Sequence, residues 1–232
     1  MKPKTNPYGS QRDKMLAKAS TLFWEKGYTA TSMRDIAKAY GCKAANIYNF
    51  FPNKEALLYE FLSSQMKLII SKIEYLEHDK SMSAVDQLRF LMSRHLYHTL
   101  SYSKNSRFLF DVGLDWLSPA KRKKIIALRD DYDRILRRII QRGIEAGEFV
   151  KTDAKITAFN ISSMIVRSII WFSPQGKLSA EAVLDHIFNL VLRGLKKEGP
   201  ATGMAVRRRS MKPFPKISRK AWPAESSGPA GR

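Results

Sequence analysis

Cysteine is nearly absent from the sequence, since Cys42 is the single one among 232 residues. A chain with one thiol forms no internal disulfide, so its fold must depend on a buried core. We expect Cys42 to pack in a turn rather than to act as a redox switch. Because a lone thiol suits a reducing compartment, we also expect the protein to be cytoplasmic.

Long hydrophobic runs are lacking as well. One of the longest, residues 164–172, is interrupted by Arg167 and Ser168 and is far too short to cross a bilayer. The first four residues carry positive charge, but no apolar segment follows them, so we expect no signal peptide. The sequence therefore predicts a protein without a membrane partner.

Motifs of catalysis and cofactor binding are missing too: the sequence holds no Gly-rich phosphate loop, Gly-x-Ser-x-Gly or Cys-x-x-Cys. His95 and His98 on one predicted helix, with Asp111 and Asp115 on the next, could bind a metal if they converged. A solvated or hydrogen-bonded polar face is the interpretation that this spacing favours. We expect no enzymatic activity, no metal and no cofactor.

Acidic residues are scarce relative to basic ones, 21 against 41, which gives a formal net charge of +20. Such an excess favours a polyanionic partner, and nucleic acid fits better than a membrane because no amphipathic anchor is evident. Residues 1–54 alone hold ten Lys or Arg against three acids, a net of +7. The N-terminal part is therefore the candidate for contacts with a phosphate backbone.

Alternating strand patterns are absent, whereas apolar residues recur at helical spacing along most of the chain. The sequence predicts an all-α protein of nine helices. The predicted helices are Gln11–Lys26, Ser32–Tyr40, Ala44–Phe51, a long one from Pro52 to His78, Ser83–Ser103, Ser106–Leu117, Pro119–Arg142, Asp153–Phe172 and Ser179–Leu195. Residues 1–10 should form a flexible basic arm, and residues 197–232, rich in proline and arginine, a disordered basic tail.

Residues 31–54 have the pattern of a helix-turn-helix. Met33 and Ile36 lie on one apolar stripe, Gly41 supplies the turn, and Ile47 and Phe51 turn the second helix inward. Polar side chains are left on the outer face of that second helix. A short Gly-containing turn before a polar helix is typical of DNA recognition, although packing hairpins share the pattern.

The N-terminal residues resemble the pattern of TetR-type transcriptional regulators. The matching positions are Met15, Leu16, Ala19, Leu22, Phe23, Gly27, Tyr28, Thr31, Ile36, Ala37, Gly41, Ile47, Tyr48, Phe51, Lys54 and Glu55. The resemblance implies a three-helix DNA-binding domain over residues 11–54 and a helical sensor and dimerisation domain over residues 55–196. Lys43, Ala45 and Phe50 depart from the family pattern, so the operator sequence stays open.

The resemblance also implies which residues contact DNA. Lys43, Ala44, Asn46 and Asn49 would face base edges, where Lys suits guanine and Asn suits adenine. Thr31, Tyr48 and Lys54 would contact phosphates, and Arg34 a base or a phosphate. The alternative for each is a solvent-exposed polar side chain.

In this family the last two helices form a homodimer, so the apolar face from Leu184 to Leu195 is the predicted contact, with ordinary core packing as the alternative. Residues 165–179 resemble the branch of repressors that control fatty-acid and sterol catabolism, whose members sense CoA thioesters. Arg167 and Trp171 share one helical face. Arg167 could pair with a CoA phosphate and Trp171 could lie against the acyl arm, or they could reach solvent and pack in the core.

The resulting prediction is a homodimeric, sequence-specific DNA-binding regulator, a repressor that a small effector such as an acyl-CoA thioester releases from a palindromic operator. The alternative is a basic protein that coats nucleic acid without sequence preference and without a ligand. The alternative would require the tail over residues 197–232 to supply most of the affinity.

Overall fold

The computed structural model describes residues 10–101 and 114–196, which hold eight α-helices, one short 3₁₀ helix and no strand. The helices are α1 (Gln11–Lys26), α2 (Met33–Tyr40), α3 (Ala44–Tyr48), α4 (Lys54–Ser71), the 3₁₀ helix (Glu74–Glu77), α5 (Ala84–Ser101), α6 (Pro119–Glu145), α7 (Ala154–Trp171) and α8 (Ala180–Leu195). The all-α class is confirmed. None of the described helices is both long and apolar enough to traverse a membrane.

Part of the prediction lies outside the described residues. The predicted helix Ser106–Leu117 falls there up to residue 113, while residues 114–117 form a turn. The predicted flexible arm lies outside up to residue 9, and the predicted tail lies outside entirely. The count of nine helices therefore differs from the eight that the described residues contain.

Local side-chain chemistry sets the ends of the first two helices. Ser10 and Asp13 form a capping box at the start of α1, and Ser32 and Asp35 form another at the start of α2. Gly41 ends α2 in the left-handed conformation at φ 85°, where residues with a side chain are strained. These three features position α3 directly after α2.

The prediction of α3 over Ala44–Phe51 is wrong at its C-terminal end, because the helix stops at Tyr48. Pro52 disfavours helical backbone at the residue before it, so the chain leaves the helix as a tight turn. The backbone N–H groups of Phe50 and Phe51 both donate to the carbonyl of Ile47 at 3.0 and 2.9 Å. Phe51 remains fully buried in this turn.

The single long helix predicted from Pro52 to His78 is also wrong, since α4 ends at Ser71 and a 3₁₀ helix follows. Past Ser71 the backbone tightens, because the N–H groups of Lys72 and Ile73 donate to the carbonyls three residues earlier, at Ile69 and Ile70. The segment that follows is held by a residue that lies far away in the chain. Arg142 of α6 donates to the carbonyl oxygens of Leu76 at 2.8 Å and Asp79 at 3.0 Å. These carbonyls are thus bound by a side chain instead of by the next turn of an α-helix.

Helices α4 and α6 lie side by side and run in the same direction. At their N-terminal ends, Glu55 accepts a hydrogen bond from the backbone N–H of Ser118 at 2.8 Å and pairs with Lys121 at 3.1 Å. Beyond the C-terminal end of α4, Glu77 pairs with Arg138 at 3.0 Å. Because the contacts follow the same order along both helices, the N-terminal ends of α4 and α6 lie together.

Two hydrophobic clusters form the core. The first joins α1, α2, α3 and the first half of α4 through Leu62, and it includes Leu117 from the turn before α6 and Ile125 from the second turn of α6. The second begins at Ile69 and joins the remaining helices. The predicted domain boundary between residues 54 and 55 stays a prediction, but the first core extends two turns further along α4.

Predicted limits are confirmed for the last two helices, where Asp153 and Ser179 cap α7 and α8 through hydrogen bonds to backbone N–H groups. Helix α6 continues past the predicted Arg142 to Glu145. Gly143 lies inside it, against the ring of Phe149, where a Cβ atom would come within 2.2 Å of a ring carbon. This glycine therefore serves close packing rather than helix termination.

Candidate functional sites

Helices α2 and α3 present an exposed polar face. Ile36, Ile47 and Phe51 are fully buried and fix the inner side of the helix pair. The predicted DNA-contacting residues on the outer side are Arg34, Lys43, Asn46, Tyr48 and Asn49, all exposed, and Ala44, which is half-buried. Five of the eight predicted residues are thus exposed on this helix pair and a sixth is half-buried there, and their contacts to DNA stay predictions.

Thr31 and Lys54 are placed differently. The Thr31 side chain is buried, and its hydroxyl donates to the carbonyl of Gly27 at 2.8 Å. The ammonium group of Lys54 donates to the carbonyl oxygens of Tyr28 at 2.7 Å and Thr31 at 2.8 Å, and it lies 4.3 Å from the centre of the Tyr28 ring. Partial burial lowers the pKa of Lys54. Lys54 therefore joins the loop before α2 to α4, the Thr31 side chain joins the same loop to the end of α1, and the phosphate contacts of both residues stay predictions.

A cavity of about 390 Å³ lies between α4, α5, α6 and α7. Its apolar lining residues are Leu62, Met66, Ile69, Ile125, Phe159 and Val166. Its polar lining residues are Gln65, His95, His98, Thr99, Arg129, Tyr132, Asp133, Ser162, Ser163 and Arg167. The volume and the mixed lining are those of a small-molecule site.

A neutral hydrogen-bonded pair lies in the wall of the cavity. The Nδ1 atom of His95 is 2.6 Å from the hydroxyl oxygen of Tyr132, and both side chains are buried. Burial, and to a lesser degree the nearby His98, lowers the pKa of His95 to about 3. Burial raises the pKa of Tyr132 far above its ordinary value. Burial, together with Lys72, lowers the pKa of His98 to about 4, so all three groups are uncharged at neutral pH.

Two ionisable groups on α6 also line the cavity. Burial lowers the pKa of Arg129, an effect that Asp133 one turn later opposes. Burial raises the pKa of Asp133, while Arg137 and Arg129 oppose that rise. The guanidinium stays protonated because its ordinary pKa is so high. The α6 wall therefore supplies a donor and an acceptor of opposite charge.

Of the two predicted effector contacts, the structure brings one to the cavity. Arg167 lines it from α7, whereas Trp171 is 57% exposed and is not among the lining residues. The effector contact of Trp171 thus stays a prediction without support from the cavity. This exposure also disagrees with the alternative prediction, in which Trp171 packs in the core.

The polar residues of α4, α5 and α6 in the cavity were missed by sequence reasoning, apart from the weak metal hypothesis for His95 and His98. A signal was present, since Arg129, Tyr132 and Asp133 stand at i, i+3, i+4, the spacing of core positions. Within residues 10–101 and 114–196, no three His, Cys, Asp or Glu side chains are grouped to hold a metal. Asp111 of the metal hypothesis lies outside the described residues.

The apolar face predicted for dimerisation is packed within the chain itself. Leu184, Ile187, Phe188, Val191 and Leu195 are buried in the second core. The alternative of ordinary core packing therefore describes these residues. Other apolar side chains are exposed on or beside α7 and α8: Ile170, Trp171, Leu178 and Leu190.

A helix-turn-helix with an exposed polar recognition helix, joined by one long helix to a bundle with an internal cavity, defines a DNA-binding regulator. Residues 15–61 match the family model described as bacterial regulatory proteins of the tetR family. Residues 81–195 match the model described as the tetracyclin repressor-like C-terminal domain. The chain belongs to the TetR family of transcriptional regulators and is not an enzyme.

Individual relatives agree with this assignment. The transcriptional repressor KstR2 of Mycolicibacterium smegmatis is 26% identical over 188 residues, which cover 80% of this chain and 91% of KstR2. PfmR from Thermus thermophilus, a TetR-family regulator of known crystal structure, is 35% identical in sequence to this chain. The two structures align with a TM-score of 0.71 over 79% of this chain and 99% of PfmR. AibR, whose structure contains isovaleryl coenzyme A and operator DNA, is 24% identical in sequence to this chain. The two structures have the same fold, with a TM-score of 0.70 over 78% of this chain and 97% of AibR.

Exchange of Asn46 for alanine tests the outer face of α3. Asn46→Ala should weaken binding to a selected operator by about 1–3 kcal/mol, because alanine cannot form the bidentate hydrogen bonds to a base edge, while binding to scrambled DNA stays unchanged. Thr31→Val is the control. Because the hydroxyl of the buried Thr31 donates to the carbonyl of Gly27, this change should lower the free energy of unfolding by about 1 kcal/mol and preserve the preference for the operator. An unchanged preference in Asn46→Ala would exclude a base contact.

The buried histidines predict a stability that decreases in acid. The folded pKa values of His95, about 3, and His98, about 4, lie below the ordinary 6.5. Between pH 6.5 and the folded pKa values, the unfolded chain binds more protons than the folded one. The free energy of unfolding therefore decreases as the pH decreases, by up to about 1.4 kcal/mol per pH unit for each histidine. Urea unfolding from pH 7 to pH 4.5 should show a smaller pH slope in His98→Asn than in the unmodified protein. Equal slopes would contradict the burial of a neutral His98.

Proposed function

We propose that the protein is a homodimeric, sequence-specific repressor that a small effector, best represented by an acyl-CoA thioester, releases from a palindromic operator. One observation carries the proposal: the ligand cavity and the core of the helix-turn-helix share helix α4. Leu62 belongs to the core of the N-terminal helices and also lines the cavity. In this proposal residues 11–54 bind DNA, and residues 55–196 sense the effector and dimerise.

The first step of the mechanism is a displacement of α4. A ligand that needs more room than the cavity offers pushes on Leu62 and Met66. Close-packed cores transmit such a push rather than absorb it. The N-terminal end of α4 moves with it and displaces the loop before α2, because Lys54 is bonded to the Tyr28 and Thr31 carbonyls.

The second connection is α6. Ile125 and Arg129 line the cavity, and Ile125 also packs in the core of the N-terminal helices. One turn earlier, Lys121 and the Ser118 N–H bind Glu55 of α4. A ligand between α4 and α6 thus acts on two parallel helices whose N-terminal ends both lie at the helix-turn-helix domain.

Dimerisation gives these displacements their effect on DNA. Two helix-turn-helix units related by a two-fold axis contact successive major grooves about 34 Å apart. A change of that separation releases one half-site and with it most of the affinity. The exposed apolar residues Ile170, Trp171 and Leu190 supply a surface that α7 and α8 could bury against a second copy.

The effector class rests on the cavity and on the relatives. An apolar cavity of about 390 Å³ accommodates an acyl group and the adjoining part of the pantetheine arm, but not a whole CoA thioester. The phosphates would remain outside, where the exposed Arg167 could pair with them. AibR, a protein of this fold, binds isovaleryl coenzyme A. A Bacillus subtilis relative, 25% identical over 173 residues, is named a fatty acid metabolism regulator.

Competition between effector and operator tests the proposal. A panel of acyl-CoA thioesters is added to the protein bound to DNA from its own genomic neighbourhood, and one ester should release the DNA. Arg167→Ala should require at least tenfold more of that ester, because the variant cannot make a charge-assisted hydrogen bond to phosphate, worth about 1.5–3 kcal/mol, while its DNA affinity stays unchanged. Arg94→Ala, which removes an exposed arginine outside the cavity lining, is the control.

Three results would contradict parts of the proposal. Sequence-specific binding that no CoA ester disturbs would exclude the effector class and leave the regulator. Equal responses of Arg167→Ala and Arg94→Ala would remove the role of Arg167. Binding without any sequence preference would favour a protein that coats nucleic acid.

The dimer surface has its own test. Leu190 is 58% exposed in the single chain. If a second copy covers it, Leu190→Glu buries a charge and should raise the dissociation constant of the dimer by roughly 30-fold, about 2 kcal/mol. Leu68→Glu, at a 37% exposed leucine of α4, is the matched control and should leave the dimer intact. Sedimentation equilibrium measures both, and equal constants would exclude α8 from the interface.

A further inference from the structure

The first two turns of α6 carry four basic residues in succession, Lys121 to Lys124, and its first turn holds no acid. Positive side chains oppose the helix dipole in the first turn, each at a cost of about 0.3–1 kcal/mol, and the effect falls off in the second turn, where Lys123 and Lys124 stand. Burial gives no reason for these two lysines, since Ile125 alone supplies the buried contact of this stretch. The charges therefore call for an explanation in terms of a partner.

Two of the four charges are neutralised within the chain. Lys121 pairs with Glu55 at 3.1 Å, and Arg122 pairs with Asp115 at 2.7 Å. Lys123 and Lys124 are exposed, and neither forms an ion pair with a residue of the described ranges. Among the residues that the structure describes, this pair thus forms a positive patch without a paired acid.

The patch lies at the end of α6 that adjoins the helix-turn-helix. The ring of Trp116 lies 5.2 Å from the ring of Tyr28, and Lys54 lies over that same tyrosine at 4.3 Å. Because α4 and α6 are parallel, their N-terminal ends lie together. Side chains on a helix lean toward its N-terminus, so Lys123 and Lys124 lean toward the end that carries Tyr28 and Lys54.

We propose that Lys123 and Lys124 form an additional phosphate-contacting site, which binds the backbone of the same DNA duplex beside the groove that α3 enters. The inference rests on the proposed DNA-binding function and extends the contact surface from residues 31–54 to the start of α6. The position at the end of α6 that adjoins Tyr28 and Lys54, and the opposite charge of DNA, favour DNA over an acidic protein as the occupant. Because phosphates carry no sequence information, the site adds affinity without adding specificity.

The experiment uses the full chain and a duplex that the unmodified protein selects from a random library. Binding to this duplex and to a scrambled one is measured from 50 to 200 mM salt for the unmodified protein and for Lys123→Gln/Lys124→Gln. The control is Lys151→Gln/Lys196→Gln. It removes the same charge from two exposed lysines at the opposite end of α6, where Val150 N–H bonds to the carbonyl of Leu195 at 2.8 Å.

The expected result is a weaker affinity of the Lys123/Lys124 variant for both duplexes by the same factor. Its salt slope should be smaller by about 0.9 for each phosphate that the variant no longer neutralises. The difference in log affinity between the variant and the unmodified protein should therefore be smaller at 200 mM than at 50 mM salt, by about half a log unit for each such phosphate. The control should keep the unmodified salt slope, and all proteins should unfold at the same temperature.

Equal affinities and equal slopes in the two double variants would overturn the inference, and an acidic protein partner would then be the occupant to pursue. A changed preference between the two duplexes would overturn it as well, because the lysines would then touch bases. Failure of the proposed function is a separate result. In that case the unmodified protein would select no duplex from the library at all.

Discussion

The parallel pairing of α4 and α6 is the constraint on which the other elements depend. Glu55 joins the two N-terminal ends through Ser118 and Lys121, and Glu77, which exposes only 11% of its side chain, joins α6 to the segment that follows α4. Between these ends both helices line the cavity. In the proposed mechanism, a ligand in this cavity would push on two helices that are joined at both ends, and the push would reach the end that holds the helix-turn-helix.

The polarity of the cavity follows from the cost of burying charge. His95 and His98 stay neutral because protonation would place an unsolvated charge beside Tyr132 and the apolar lining. In the proposed complex, the acyl part of a CoA ester would lie among the apolar lining residues, and its phosphates would lie at the exposed Arg167. Buried hydrogen-bonding groups also discriminate between ligands, since a ligand that leaves them unpaired binds more weakly.

Features encoded by neighbouring residues could be predicted, whereas features that join distant residues could not. The ends of α1, α2, α7 and α8 follow from caps within the same turn, such as Ser32 with Asp35. The segment after α4 is held by Arg142, and the internal role of Lys54 depends on carbonyls of a loop before α2. The exposed face of α3 follows from its periodicity, but periodicity does not distinguish a wall of a cavity from a solid core.

Helices α4 and α6 differ in continuity. In the proposed mechanism, this difference would decide where a ligand produces movement. Helix α6 is continuous over 27 residues, about 40 Å, and its N-terminal half also carries Lys123 and Lys124. Helix α4 stops after 18 residues and continues as a 3₁₀ helix, with Ile73 outside helical geometry at φ −130°. In the proposed mechanism, a push from the cavity would bend the chain at residues 72–73 and tilt α4 more than α6. Because α4 carries Lys54, this tilt would act first on the loop before α2, and α3 would follow.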